Sequence, residues 1–189
     1  MLVTRARAEH AEAVAALFER VDCPCYCRYW DFQGDGRAWQ DRCANDRAQS
    51  RAELLDALQG DDLFGLVAVE DDRVVGWMRL ATPERMQKQY EGRLYRNLPC
   101  FSGDRSGVLA VACFLVDEER RKSGVARALL GRAIELARES GARSLEAFPR
   151  GAEDVSDAEH WLGPPRLYAE YGFEVVSDFR PYPVVRLAL

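Results

Sequence analysis

Residues 108–141, VLAVACFLVDEERRKSGVARALLGRAIELARESG, read as a buried strand, a charged turn and an amphipathic helix, in that order. Residues 108–116 are an almost unbroken apolar run containing three valines. A strand covered by packed layers on both faces has this pattern, because neither face meets water. Beyond the turn, Ala126, Leu129, Leu130, Ala133, Ile134 and Ala137 fall on one side of a helix, with Arg127, Arg132, Glu135, Arg138 and Glu139 on the other. That 3.6-residue period is the mark of a helix lying on a sheet. Gly141 supplies the left-handed residue that commonly closes such a helix.

The turn carries the chemistry. Arg121, Lys122, Ser123, Gly124, Val125 and Ala126 lead into the helix, so their amides lack intrahelical partners and lie beside the positive end of its dipole. An anion such as a phosphate fits there, with Gly124 letting the backbone approach it and Arg120, Arg121 and Lys122 adding charge. The same residues also suit a plain solvated basic loop before a surface helix.

A chain of 189 residues has room for one domain with one sizeable core. Its formal charge of −5 weighs against a nucleic-acid binder and suits a cationic amine as partner. No apolar run reaches bilayer length and the N-terminal residues lack the apolar core of a signal peptide, so the cytoplasm is the expected location. There Cys23, Cys25, Cys27, Cys43, Cys100 and Cys113 are expected as thiols.

Along the chain, residues 2–7 alternate as a first strand and residues 8–21 form an Ala-rich helix. Residues 37–47 and 50–58 read as helices, the second with Leu54, Leu55 and Leu58 as its stripe and Gly60 as its stop. Strands over 63–70 and 73–80 join through Asp71 and Asp72 as a hairpin, with Gly76 marking a bulge or a close backbone approach. Residues 81–106 are polar and irregular, longer than an ordinary loop. After the opening strand and helix come a strand over 144–148, a loop over 149–163, a short helix through Tyr168 and two last strands.

Residues 21–40, VDCPCYCRYWDFQGDGRAWQ, have the most unusual composition. If extended, Cys23, Cys25 and Cys27 share one face. Three readings are open: zinc ligation together with Cys43, although the spacing is unlike that of structural zinc sites; a redox or nucleophilic thiol; or small apolar thiols packed beneath aromatics.

The sequence Arg121-x-x-Gly124-x-Ala126 after an apolar strand resembles the Q/R-x-x-G-x-G/A motif of the GNAT superfamily of N-acetyltransferases, and Tyr168-x-x-x-Gly172-Phe173 resembles its Y-x-x-x-G-F motif. The element order resembles the family's over essentially the whole chain. The resemblance implies an α/β (α+β) fold, a single domain over residues 1–189 with a mixed central sheet of six to seven strands and about four helices. It implies acetyl-CoA as cosubstrate and a small-molecule or peptide amine as acceptor, with no nucleic-acid or membrane partner; a homodimer is compatible with it.

Acetyl transfer by direct attack requires the amine to lose a proton, the thioester oxygen to meet a fixed donor, and the departing thiolate to be protonated. By resemblance, Tyr168 protonates the thiolate, or else is a satisfied core tyrosine. Backbone amides of Phe114, Leu115 and Val116 face the cofactor, and Arg121, Lys122, Ser123, Gly124, Val125 and Ala126 bind its pyrophosphate. Glu146, held on a strand, is the first choice as base, with a cation-binding or structural role open to it; His160, beside Trp161, reads as a surface histidine more than as a base, and Glu153, Asp154 and Asp157 read as loop charges. Tyr26, Tyr29, Trp30 and Trp39 are candidates for an acceptor wall or for core packing. Two rivals stand beside the enzyme: a CoA-binding module without turnover, and a protein centred on Cys23, Cys25, Cys27 and Cys43.

Overall fold

A computed structural model describes residues 1–151 and 161–189. The readings placed on Glu153, Asp154, Asp157 and His160 fall outside the described residues. Among the described residues seven strands are present: β1 (Leu2–Arg5), β2 (Phe64–Glu70), β3 (Arg73–Ala81), β4 (Val108–Val116), β5 (Ser144–Ala147), β6 (Glu174–Ser177) and β7 (Val184–Ala188). They form a mixed sheet in the order β1-β2-β3-β4-β5-β7-β6, so β1 and β6 are its edges. Six α-helices accompany them among the described residues: α1 (Ala11–Arg20), α2 (Gly36–Asn45), α3 (Arg47–Gln59), α4 (Gln87–Tyr90), α5 (Val125–Glu139) and α6 (Pro165–Glu170). Four of the six run ten residues or more, and the short helix read through Tyr168 is α6.

The chain divides into two compact units, the first made of Met1–Arg79 and Leu115–Leu129, the second of Leu80–Phe114 and Leu130–Leu189. In the first, β1 pairs antiparallel with β2 in the register Leu2 to Val69 through Arg5 to Leu66. Helix α1 buries Ala11, Val14, Ala15, Leu17 and Phe18, and packs on α3, which buries Leu54, Ala57 and Leu58. Each such leucine or phenylalanine taken from water contributes about 1.5–3 kcal/mol. The first helix opens with a 3₁₀ turn at Ala8–His10, where the Arg7 amide donates to His10 Nδ1 at 3.1 Å, so His10 is a structural cap. Helix α3 starts at Arg47, three residues before the expected position, because the Asp46 carboxylate accepts from the Gln49 amide. The left-handed residue after α3 is Asp61 rather than Gly60, which stays right-handed.

Asp71 and Asp72 both have positive φ, 49° and 61°, the conformation of a two-residue hairpin turn. A Cβ on Gly76 would lie 2.5 Å from Val125 Cγ1 and 2.9 Å from Leu129 Cδ1. Of the two readings of this glycine, close approach of strand to helix is the one observed.

In the second unit, β4 and β5 are parallel, Val108 opposite Ser144 and Ala110 opposite Glu146. A parallel pair needs a crossover, and α5 lies in the connecting chain. Strand β7 pairs antiparallel with both β5 and β6. Ala110, Val111, Ala112, Leu130, Ala133, Ala137, Leu145, Ala147 and Val184 are buried. The irregular stretch between β3 and β4 is anchored by aromatic edges: Tyr90 and Tyr95 meet Phe148 at 5.3 and 5.4 Å, and Tyr90 meets Phe101 at 5.0 Å.

Candidate active site

The turn before α5 is fixed by a buried charge at its start. Asp117, 3% exposed, accepts from Arg20 Nε at 3.1 Å, from an Arg73 guanidinium nitrogen at 2.6 Å and from the Glu119 amide at 3.2 Å. Its own amide donates to the Val75 carbonyl at 2.9 Å. Burial pushes the Asp117 carboxyl up, but the hydrogen bonds outweigh it and hold the group below its ordinary range. Asp117 was not singled out in the sequence. Its signal there is position alone, the first polar residue after the buried strand.

From this anchor the chain makes a 3₁₀ turn at Glu118–Arg120. The Arg121 and Ser123 amides close local bonds to Glu118 and Arg120 carbonyls. Lys122 and Gly124 then take positive φ, 61° and 94°, and the Ala128 amide donates to the Gly124 carbonyl to begin α5. Among the described residues no group accepts from the amides of Lys122, Gly124, Val125 or Ala126. A Cβ on Gly124 would meet nothing within 4 Å among the described residues. Arg120 pairs with Glu70 at 2.8 Å and Arg121 with Glu118 at 3.2 Å, while Lys122 is exposed and has no carboxylate partner among the described residues. Four amides with no acceptor among the described residues thus stand at the start of a fifteen-residue helix, where the positive end of the helix dipole favours an anion.

In the second unit the Phe114 amide donates to the Trp161 carbonyl at 2.7 Å, and the Tyr168 hydroxyl donates to the next carbonyl, Leu162, at 2.5 Å. One stretch of two residues thus holds two of the expected groups. The Phe114 amide is therefore committed to protein. Tyr168 is fully buried, and burial pushes its phenol well above the ordinary tyrosine range, so it is a neutral hydrogen-bond donor. Phe173 packs edge-on against its ring at 5.1 Å. Gly163, φ 82°, lies so close that a Cβ there would sit 2.7 Å from the Tyr168 hydroxyl.

Glu146 has no exposed surface. One carboxylate oxygen, Oε1, accepts from Arg105 at 3.0 Å and from Arg186 Nε and Nη2 at 2.8 and 2.6 Å; Oε2 accepts from Arg105 Nη2 at 2.7 Å and the Tyr90 hydroxyl at 2.7 Å. Burial raises its pKa, but these donors together hold it below the ordinary carboxylate range. A general base needs an open lone pair and room for a proton. Glu146 offers neither here, so of the roles open to it the structural network is the one this geometry supports. Arg186 also donates to the Cys100 carbonyl at 2.6 Å, and Arg105 lies over the rings of Tyr90 and Phe101. Tyr90, Arg105 and Arg186 escaped sequence reasoning because they come from the stretch before β4 and from β7, both remote in sequence from Glu146, and nothing local marks them as its partners.

The cysteine-rich segment folds as successive turns, with positive φ at Asp22, Tyr26 and Cys27, and not as the extended strand that would align its thiols. Tyr26 is buried and stacks on Phe18 at 5.5 Å; Trp30 is buried and meets Tyr29 edge-on at 4.9 Å. Tyr29 and Trp39 are half-buried against each other. Arg79, 1% exposed, holds this segment by donating to the Cys27 carbonyl at 3.1 Å and to both Asp31 carboxylate oxygens at 2.7 and 3.1 Å. No disulfide joins any of the six cysteines. Among the described residues no group of three or more His, Cys, Asp or Glu side chains is arranged to hold a metal ion.

The family model described as acetyltransferase (GNAT) family matches residues 25–161. No curated protein matches the chain. Among solved structures, the PaiA N-acetyltransferase from Thermoplasma acidophilum in complex with coenzyme A is 11% identical, with a TM-score of 0.58 and 100% of both chains covered. A ribosomal-protein-alanine N-acetyltransferase from Brucella melitensis is 18% identical, with a TM-score of 0.56 over 100% of both chains. An aminoglycoside 6'-acetyltransferase type Ii is 14% identical, with a TM-score of 0.58, covering 100% of this chain and 97% of its own. At these identities the likeness is one of fold. Among the described residues no helix is long and apolar enough to cross a membrane.

Proposed function

The chain belongs to the GNAT family of acetyltransferases, and on that premise we propose that it transfers the acetyl group of acetyl-CoA to a primary amine by direct attack. We take residues 1–189 as one catalytic domain and a small-molecule or peptide amine as acceptor. The observation that carries the reading is the turn ahead of α5, where the described residues leave four amides with no acceptor, a glycine at φ 94° whose Cβ would meet nothing within 4 Å, and a lysine with no carboxylate partner. These residues fit a pyrophosphate. Lys122, Gly124, Val125 and Ala126 bind it through backbone N–H groups, and the Lys122 side chain supplies charge.

Acetyl-CoA, when bound, supplies an acyl group already activated as a thioester. The chain's own residues then have three tasks. An amide at the end of β4, Leu115 or Val116, donates to the carbonyl oxygen as it gains charge. Tyr168 holds its proton at neutral pH and, on exchanging away from the Leu162 carbonyl, offers it to the departing sulfur. The acceptor amine must arrive without its proton, since an ammonium near pKa 10 has no lone pair. Glu146 is spoken for by Arg105, Arg186 and Tyr90, so deprotonation falls to water or to the acceptor's own equilibrium in this reading.

Calorimetric titration with CoA and a thiol-release assay against a panel of amines test the proposal. Gly124→Glu puts a carboxylate where the pyrophosphate belongs and is expected to weaken CoA binding at least tenfold, roughly the effect of 1.4 kcal/mol. Unchanged affinity would sink the turn assignment. CoA binding without amine-dependent thiol release would leave a binding module in place of an enzyme.

A further inference from the structure

The residues just after α1 contain a feature that acyl transfer does not use. Cys23 and Cys25 flank Pro24, and their sulfurs lie 3.3 Å apart in hydrogen-bond contact. The Cys23 amide donates to the Phe18 carbonyl at 2.9 Å, which ties the first thiol to the end of α1. The Cys27 amide donates to Cys25 Sγ at 3.4 Å, which holds the second. Pro24 fixes its own φ between them. Both thiols are half-buried, whereas Cys27 is buried.

We infer that Cys23 and Cys25 are a hydroperoxide-oxidisable dithiol that closes to an intrachain disulfide, with Cys23 as the attacking sulfur and Cys25 as the resolving one. Sulfur atoms at 3.3 Å need only a short approach to reach the bonded separation of about 2.05 Å. The two thiols are also unlike in acidity. A hydrogen bond from the Cys25 thiol and another from its amide hold Cys23 below the ordinary thiol range, against the cost of burial and the charge of Asp22. Giving that hydrogen bond and being buried raise Cys25. Cys27 also acts on Cys23, raising it, and Cys43, which feels the charge of Cys23, is itself raised mainly by burial. The thiolate is the nucleophile, so Cys23 reacts first.

The step balances as two-electron chemistry. Cys23 thiolate attacks one peroxide oxygen; the S–O bond forms, the O–O bond breaks, and the leaving oxygen takes a proton as water or alcohol. Cys25 then loses its proton and attacks Cys23 sulfur. The S–S bond forms, the S–O bond breaks, and hydroxide leaves with that proton as water. The two sulfurs are oxidised and the peroxide is reduced. A dithiol reductant reverses the change. This inference does not depend on the acyl-transfer reading, and its test does not use acetyl-CoA.

Reduced full-length protein is treated with equimolar hydrogen peroxide at neutral pH, blocked with iodoacetamide and read by intact mass and tryptic map. Trypsin releases residues 21–28, VDCPCYCR, apart from Cys43. The expected result is a mass about 2 Da lower before blocking, loss of two thiols, and a single carbamidomethyl on that peptide, at Cys27. Dithiothreitol restores three labels. Cys25→Ser should stop at a sulfenic acid on Cys23 that dimedone traps, and Cys23→Ser should consume peroxide at least tenfold more slowly. Full labelling of all thiols after peroxide overturns the inference. So does a bond to Cys27, to Cys43 or between chains, or sulfinic acid accumulating on wild-type Cys23 in place of the disulfide. The wild-type map decides the matter even if a variant fails to fold.

Discussion

At the scale of single residues, Glu146 and Tyr168 separate structure from chemistry. Glu146 lies buried between two arginines, so Glu146→Gln leaves Arg105 and Arg186 facing each other with a neutral group between them. Breaking a buried pair in this way costs about 3 kcal/mol or more. Urea denaturation should show that loss, with turnover per folded molecule largely kept. A collapse of kcat at unchanged stability would instead restore Glu146 as the base. Tyr168→Phe has the opposite signature. It strips the Leu162 carbonyl of its donor, at about 1–3 kcal/mol, and removes the proton proposed for the leaving sulfur, a loss of about 100-fold or more in kcat. CoA affinity should barely move. Because burial raises the Tyr168 phenol, its deprotonation should not cut the rate below about pH 10, the ordinary tyrosine value. A descending limb at lower pH that disappears in Tyr168→Phe would contradict this.

At the scale of elements, the strand and helix of residues 108–141 were legible almost to the residue. Strand β4 runs from Val108 to Val116 as read, because burial on both faces writes itself as an unbroken apolar run. The Asp71–Asp72 turn was legible for a local reason as well, since two short polar residues between apolar runs accept positive φ. Segment 21–35 was not. Its alternating cysteines imitate a strand, yet the turns are set by Arg79, which reaches Cys27 and Asp31 from β3. A long-range charge inside the protein leaves no periodicity in the chain it holds. Gly76 gives the element-scale prediction. Gly76→Ala drives a methyl into Val125 and Leu129, and overpacking of this kind costs about 1–3 kcal/mol. The thermal midpoint should fall by several degrees, and Gly76→Ala with Val125→Ala should recover part of the loss.

At the scale of the whole molecule, stability should follow two buried carboxylates through pH. Glu146 and Asp117 both titrate lower in the folded protein than in the unfolded chain. Their stabilisation is therefore complete above the unfolded values, about 4.3 and 3.9, and is lost as pH falls through the folded ones. The urea midpoint should be level between about pH 6 and 8 and drop below about pH 4. Glu146→Gln should flatten that drop, and an identical acid slope in the variant would remove Glu146 from the account. The fold and the turn ahead of α5 were read from local pattern, whereas the clusters around Glu146 and Asp117 were not, because each joins at least three segments whose meeting only tertiary packing decides. The sheet order has one further consequence, for the protein in a test tube. Its borders are two four-residue strands, β1 with Leu2 65% exposed and β6 with Val175 59% exposed. Open borders are templates for a neighbour's backbone, and brevity together with Glu174 beside Val175 blunts them without closing them. These two short margins are thus points at which copies can associate at high concentration, and a lysine in place of Val175 is the economical route to a more soluble preparation.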